Sequence, residues 1–210
     1  MLQLYSYFRS SAAYRVRIAL NHKGVDYQQH PVNLVMGEQN TPDYLSINPQ
    51  GLVPALKLAD DTIITQSTAI LEWLEEQYPE PSLYPHDPII RAQGRSLCNI
   101  IACDIHPLNN LRVLKYLMDE FHISEEQKIN WYQNWIAQGF SSLEKALSPE
   151  PFALGCKISM VDVYLVPQVY NALRFKQDMN DYPNINRIYH ACNELEPFKR
   201  AAPESQIDAP

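Results

Sequence analysis

Residues 2–20, LQLYSYFRSSAAYRVRIAL, contain the reading that decides the fold. The apolar positions Leu2, Leu4, Tyr5, Tyr7 and Phe8 follow a strand pattern, and Val16, Ile18, Ala19 and Leu20 follow a helical one. Ser10 and Ser11 stand at the join. A helix that starts there turns its free backbone N–H groups and positive dipole end toward whatever lies beside the two hydroxyls, an environment that stabilises a thiolate. Taken alone, the pair reads as an ordinary N-cap. Two further pairs shift the balance toward function: Val53-Pro54 and Gln66-Ser67. Each opens or joins a regular element and offers groups suited to a small peptide-like ligand that carries a sulfur.

Outward from this stretch, residues 1 to about 78 alternate strand and helix signals. Leu2–Tyr7 is predicted as a strand, Ala13–His22 as a helix stopped at Gly24, and Tyr27–Asn33 as a second strand. Asp43–Ile47 reads as a helical turn. Ala55–Ala59 and Thr62–Thr65 read as strands joined by a hairpin turn at Asp60-Asp61. Ser67–Tyr78 is an amphipathic helix with Ile70, Leu71 and Leu74 on the apolar side and Glu72, Glu75 and Glu76 exposed. The order β-α-β then β-β-α implies a mixed sheet flanked by helices.

Pro79, Pro81, Pro85 and Pro88 then interrupt any helix and mark a linker. Beyond it the patterns are helical. Residues 89 to about 118 give one or two helices broken near Pro107, and Glu125–Leu147 gives another with Trp131, Trp135, Phe140 and Leu143 on its apolar stripe. Ser159-Met160-Val161-Asp162 has capping-box form and should start a buried helix, a structural role. The polar tail from Ala201 is expected to be frayed. The division is an α/β domain over residues 1–80, a Pro-rich linker over 81–88, and an all-helical domain over 89–210 ending in that tail.

A net charge of −7 and a pI near 5.3 argue against a nucleic-acid partner, since no Lys/Arg run is present to neutralise phosphates. No apolar run approaches the ~20 residues that span a bilayer, and the chain begins directly on strand-like sequence, so a cytoplasmic protein off the membrane is expected. Cys98, Cys103, Cys156 and Cys192 are scattered, with no metal-type CxxC pair. They are expected to be reduced and mostly buried, and no metal site is expected.

The motifs, taken together, resemble the glutathione transferase family across nearly the whole chain, and within it the zeta class, which includes maleylacetoacetate isomerases. The carrying residues are Tyr7-Phe8-Arg9-Ser10-Ser11 with Arg15-Val16-Arg17-Ile18-Ala19-Leu20, then Asn48-Pro49-Gln50-Gly51-Leu52-Val53-Pro54 and Gln66-Ser67. Asp104-Ile105-His106-Pro107-Leu108-Asn109-Asn110, Val166-Pro167-Gln168 and Arg174-Phe175-Lys176 complete the set. The resemblance implies a thioredoxin-like N-terminal domain followed by an all-α domain, and a homodimer. One departure matters. The zeta signature usually reads Ser-Ser-Cys, and Ala12 occupies the third position here, with Tyr14 where a Trp is common. A mechanism using a protein thiol in that turn is therefore excluded, and glutathione must supply the sulfur.

By the same resemblance, Ser10 is the residue that activates the thiol and Ser11 its neighbour and helper. Val53-Pro54 corresponds to the cis-proline turn that pairs with the cysteinyl backbone of glutathione, although a trans proline at a strand start fits the sequence as well. Gln66-Ser67 corresponds to the γ-glutamyl anchor, with Ser67 also suited to an N-cap. Gln39, His106 and Asn110 match further glutathione contacts. Asn110 is read as one turn after His106 on the same face. Arg9, Arg112 and Arg174 match the groups that hold a diacid. Arg174 is equally readable as an ion-pair partner of Asp178 four residues on, and Arg15 and Arg17 read as packing or surface ion-pair residues.

The implied activity is the isomerisation of maleylacetoacetate to fumarylacetoacetate in tyrosine and phenylalanine catabolism. Thiolate addition makes the double bond temporarily single, rotation follows in the enolate, and elimination restores glutathione. Free thiols with pKa ≈ 8.5 are only slightly ionised at neutral pH, so the site has to lower that value by one to two units, about 1.4 kcal/mol each. Maleylpyruvate isomerisation, general glutathione conjugation or dehalogenation, and non-catalytic binding are the alternatives.

Overall fold

The computed structural model describes all 210 residues, Met1–Pro210, as two compact units. One comprises residues 1–82 together with 193–210, and the other residues 83–192. The chain therefore returns to its first unit at the end.

In the first unit, β1 (Leu2–Ser6), β2 (Tyr27–Pro31), β3 (Ala55–Lys57) and β4 (Ile63–Thr65) form one sheet in the order β2-β1-β3-β4. β1 and β2 are parallel, with Tyr5 opposite His30, and the other two pairings are antiparallel. The mixed sheet is the one the element order implies. Helices α1 (Ser11–His22), α2 (Pro42–Ile47) and α3 (Ser67–Gln77) accompany it. Leu4, Val16, Ile18, Leu20, Leu56, Ile70 and Leu74 are fully buried and make the core. The expected hairpin is present: Thr62 N–H donates to Asp60 Oδ1 at 3.0 Å, and Asp61 takes a left-handed φ of 69°.

Two expectations for this unit are corrected. Glu75 is not on a solvated face. It meets the Lys23 ammonium at 2.7 Å, and Lys23, with a fully buried side chain, also donates to Tyr78 O and Pro81 O. The bond set ties the end of α1 to the end of α3. Nor is the tail frayed. The last helix of the chain (Glu196–Ala201) packs on α1, and Ala201, Pro203 and Gln206 are buried. Gln206 Nε2 donates to Arg200 O and Ala202 O, and Asn21 Nδ2 to Pro197 O, so the polar tail residues have partners that a sequence reading does not supply. For the same reason, residues 193–210 group with the first unit instead of the helical one.

The helical unit contains α4 (Pro88–Asn99), α5 (Leu111–Phe121), α6 (Glu125–Ala146), α7 (Met160–Arg174) and nearly all of α8 (Pro183–Asn193); the helix over Glu196–Ala201 becomes α9. A single wider turn, Ile100–Ile105, extends α4 with π-type bonding. On α6 the buried seam is Tyr132, Ile136, Gly139, Phe140 and Leu143, while Trp131 and Trp135 flank it half-buried, so the predicted stripe is rotated by a residue. Gly139 is required there: a Cβ would sit 2.3 Å from Ile105 Cδ1. The Ser159–Asp162 box starts α7 as expected, with Ser159 at the N-cap and Asp162 in the first turn. The Asp162 carboxylate accepts from Ser159 N–H and Ser159 Oγ at 2.7 Å each, and from Ala153 N–H at 2.8 Å.

Candidate active site

Sheet register brings the N-terminal motifs to one place. Tyr5 at the end of β1 pairs with Ala55 at the start of β3, and Ala55 pairs with Thr65 at the end of β4. The Phe8–Ser11 turn, the Val53-Pro54 turn and Gln66-Ser67 therefore all leave the same end of the sheet. Ser6 pairs with Pro31, so the segment that carries Gln39 also starts from that end.

Ser10 is the N-cap of α1, half-buried, and its Oγ accepts from Ala13 N–H at 3.2 Å. A hydroxyl accepts and donates at once, so this bond leaves the Ser10 proton for a ligand atom. Ser11 is the first helical residue and is buried. Ser10 N–H closes the turn onto Tyr7 O at 2.9 Å. Arg9 extends from the turn: Nη2 donates to Tyr7 Oη at 3.0 Å, and the guanidinium lies 5.0 Å from the Phe8 ring centre.

The Val53-Pro54 peptide is cis. The turn ahead of it is fixed from below, because Leu52 O accepts from both Tyr44 Oη at 2.6 Å and Asn48 Nδ2 at 2.7 Å. Burial pushes the Tyr44 hydroxyl well above its ordinary pKa, so it stays a donor. Val53 precedes the first ladder pair at Ala55, so its backbone N–H and C=O stand outside the ladder. Gly51 takes a φ of 62°, and a Cβ there would meet Gln39 O at 3.1 Å, which shows how closely the Gln39 segment crosses this turn. Gln39 Oε1 is buried without a hydrogen-bond partner.

Gln66 is exposed, adopts a φ of 70°, and donates from Nε2 to Gln50 Oε1 at 2.8 Å. It is the N-cap of α3 and provides no side-chain cap. The expected cap role of Ser67 is therefore corrected: Ser67 is the first helical residue, and its Oγ accepts from Arg15 Nη1 at 3.3 Å. Of the two readings of Arg15 and Arg17, packing holds and the surface role does not, because both are almost wholly buried. Arg17 donates to Ser6 Oγ, Tyr7 O, Phe8 O and Ala201 O. Burial lowers its pKa to about 10, which leaves it charged at neutral pH.

The candidates of the helical unit are arranged differently. His106 follows the π turn, and its N–H reaches back to Ile101 O at 2.9 Å. Asn110 is the N-cap of α5, with Oδ1 accepting from Arg112 N–H at 3.1 Å. A four-residue turn rather than one helix joins them, so the same-face argument for His106 and Asn110 fails. Arg112 is exposed in the first turn of α5. Arg174 is the exposed last residue of α7, with Nη1 bonded to Asn171 Oδ1 at 3.3 Å and its guanidinium 5.1 Å from the Phe175 ring centre. Because the helix ends there, Asp178 is not one helical turn away, and the Arg174–Asp178 pair is not formed. Phe175 in turn stacks on Tyr132, ring centres 3.6 Å apart. All four cysteines are free and lie in this unit; Cys98 and Cys192 are buried, but Cys103 and Cys156 are exposed, contrary to mostly buried thiols.

Sequence reasoning missed Arg15 at the start of α3, the Tyr44–Asn48 support, and Asp208, whose carboxylate reaches the Ser10 turn. Arg15 and Arg17 sit among apolar neighbours in an otherwise buried helix, and that was the available signal.

The pattern described as Glutathione S-transferase, N-terminal domain, matches residues 9–77, and that of the C-terminal domain matches residues 109–200. The chain is 43% identical to a maleylacetoacetate isomerase of Pseudomonas aeruginosa, over 100% of this chain and 99% of that one. A holo maleylpyruvate isomerase, described as a bacterial glutathione S-transferase in the zeta class, superposes with a TM-score of 0.96 at 43% identity, covering 99% of this chain and 100% of that one. A maleylacetoacetate isomerase from Anaeromyxobacter dehalogenans, with dicarboxyethyl glutathione and citrate in its active site, superposes with a TM-score of 0.90 at 39% identity, covering 100% and 94%.

Proposed function

This chain belongs to the zeta class of the glutathione S-transferase family of enzymes, and on that premise we propose that it isomerises maleylacetoacetate to fumarylacetoacetate with glutathione as catalyst. The observation that carries the proposal is the convergence of the Ser10 cap, the Val53-Pro54 turn and the Gln66 start of α3 at one sheet end. Those groups fit glutathione. The unladdered Val53 backbone suits the cysteinyl peptide unit, and the uncapped start of α3 with Gln66 and Ser67 suits the γ-glutamyl carboxylate and amine. The orphaned Gln39 Oε1 beside the turn suits a peptide donor.

When bound, glutathione supplies a sulfur nucleophile whose reversible addition makes the substrate double bond single long enough to rotate. The residues of this chain do the rest. Ser10 donates a hydrogen bond from its hydroxyl to the sulfur while keeping its proton, and the N-terminal end of α1 adds its dipole, which together favour the thiolate. Ser11 assists within the first turn. Arg9, Arg112 and Arg174 receive the carboxylates of the diacid, and His106 and Asn110 add contacts to glutathione. The dicarboxyethyl glutathione held by the Anaeromyxobacter relative supports this chemistry, since it is what thiol addition to the double bond of a cis-butenedioate leaves, with a second carboxyl where the proposed substrate has a ketone.

Maleylpyruvate is the second reading, carried by the relative that bears that name. The proposal includes a homodimer, in the cytoplasm, in tyrosine and phenylalanine breakdown. No helix is long and apolar enough to cross a membrane. The test follows the absorbance of maleylacetoacetate and of maleylpyruvate with and without glutathione. Glutathione-dependent loss of the cis isomer, faster for maleylacetoacetate, is expected. Turnover of neither overturns the isomerase assignment, and a preference for maleylpyruvate selects the second reading.

A further inference from the structure

The turn that carries Arg9 and Ser10 is held from two sides. From α1, Arg17 donates to Tyr7 O and Phe8 O. From the end of the chain, Asp208 Oδ2 accepts Phe8 N–H at 2.9 Å, while Oδ1 accepts Gln29 Nε2 on β2 at 3.2 Å. Arg17 also grips Ala201 O at 3.0 Å, so one guanidinium binds the turn and the tail together. Phe8 lies 200 residues from Asp208 in sequence and two residues from Ser10. A charged acceptor makes a short, directional bond with a backbone N–H.

We infer that the C-terminal segment is a strap that sets the Ser10 hydroxyl, with Asp208 as the positioning residue acting through Phe8 N–H. The inference rests on the glutathione reading of the Ser10 turn. Loss of the Asp208 acceptor leaves Phe8 N–H to water and lets the turn shift. Small displacements of a positioned group cost much more in rate than in binding, up to about 10²-fold per ångström. Glutathione itself is held mainly by the Val53 and Gln66 regions in this reading, so its affinity should change little.

Asp208→Ala separates this from a purely structural tail. The expected result is a fall of about tenfold in kcat, with glutathione affinity within about threefold of wild type. The thiol of bound glutathione, titrated by the ultraviolet absorbance of the thiolate, should ionise up to about one unit higher, since one unit is the same tenfold in thiolate. Asp208→Asn keeps an acceptor for Phe8 N–H and should recover most of the rate. Gln29→Ala removes the other bond of the same carboxylate and should leave kcat and the titration near wild type. Should Asp208→Ala fail to fold, Asp208→Glu keeps the charge but misplaces the acceptor by one methylene, and should lower kcat without lowering the melting temperature. Wild-type kcat and thiol titration in a folded Asp208→Ala or Asp208→Glu, or equal loss of rate in Gln29→Ala, overturns the strap. Wild-type protein that binds no glutathione instead overturns the reading beneath it, and the strap with it.

Discussion

Arg17 in the first unit is fully buried and bonded to Ser6 Oγ, Tyr7 O, Phe8 O and Ala201 O, whereas Arg174 in the helical unit is exposed at a helix end with Asn171 as its hydrogen-bond partner. The contrast extends to the neighbours of each. Around the Ser10 turn, polar groups are fixed by side chains from elsewhere in the unit: Leu52 O by the buried Tyr44 and Asn48, Ser67 Oγ by the buried Arg15, and Phe8 N–H by the half-buried Asp208. In the helical unit the candidates stand at helix ends, with Arg112 and Arg174 in solvent. In the proposed roles, preorganised groups suit a ligand that never changes, and the exposed arginines at the helix ends suit one that varies. Substitutions at the buried groups of the first unit should therefore disturb the fold or all substrates alike, and those at the exposed Arg112 and Arg174 should disturb one substrate class.

The largest difference is expected in stability. Arg17→Met leaves several buried acceptors without their donor and should cost roughly 3–5 kcal/mol of unfolding free energy in denaturant titrations. Arg174→Met, at an exposed helix end, should stay within about 0.5 kcal/mol. Equal effects would remove the contrast.

Next in size is Ser10→Ala. Loss of the sulfur partner should lower turnover at neutral pH up to about a hundredfold, matching one to two units of thiol pKa. The sign follows from which form reacts. The thiolate is the reactive form, so kcat/KM rises with pH and levels off above the thiol pKa of the complex. In the variant that plateau should begin one to two units higher, while glutathione affinity falls much less. The lost cap adds about 1 kcal/mol of destabilisation. A dead Ser11→Ala beside a normal Ser10→Ala would show that the roles are exchanged.

Arg174→Ala sharpens the substrate side. Removal of one member of a buried charge pair costs ~2–5 kcal/mol, and the exposure of Arg174 places it at the lower end, about 2 kcal/mol or thirtyfold in kcat/KM for the diacid. A neutral halonitrobenzene should react nearly as before. Arg174→Lys should recover only part, lacking the planar fork that meets a carboxylate bidentately. Equal losses on both substrates would make Arg174 structural and leave the diacid to Arg9 and Arg112.

The smallest expected effect is none. Every cysteine lies in the helical unit and Ala12 occupies the active turn, so thiol alkylation followed by removal of the reagent should leave activity intact. Inactivation that glutathione prevents would bring a protein thiol into the site.

The same contrast explains what the sequence revealed. The strand-serine-helix stretch, the Asp60-Asp61 hairpin and the Ser159–Asp162 cap are local, and local periodicity and capping chemistry make them legible. The roles of Lys23 and Glu75, Arg15 and Ser67, and Asp208 and Phe8 depend on partners 52 to 200 residues apart, which no window of sequence contains. The ordered tail was misread for that reason: its polar residues look solvated until the carbonyls and N–H groups they bind are in place. The same-face placement of His106 and Asn110 fails because the π turn and the four-residue turn after it change the periodicity on which it depends.

In the proposed reaction, glutathione is a catalyst held at the start of α1 and regenerated in each cycle. The most direct test gives the enzyme a large excess of maleylacetoacetate over glutathione and counts trans product formed per glutathione present. Many equivalents of fumarylacetoacetate, with the free thiol of glutathione recovered at the end, is the result this account predicts. One equivalent of a stable glutathione adduct and no further turnover, or isomerisation that proceeds equally well without glutathione, would contradict it.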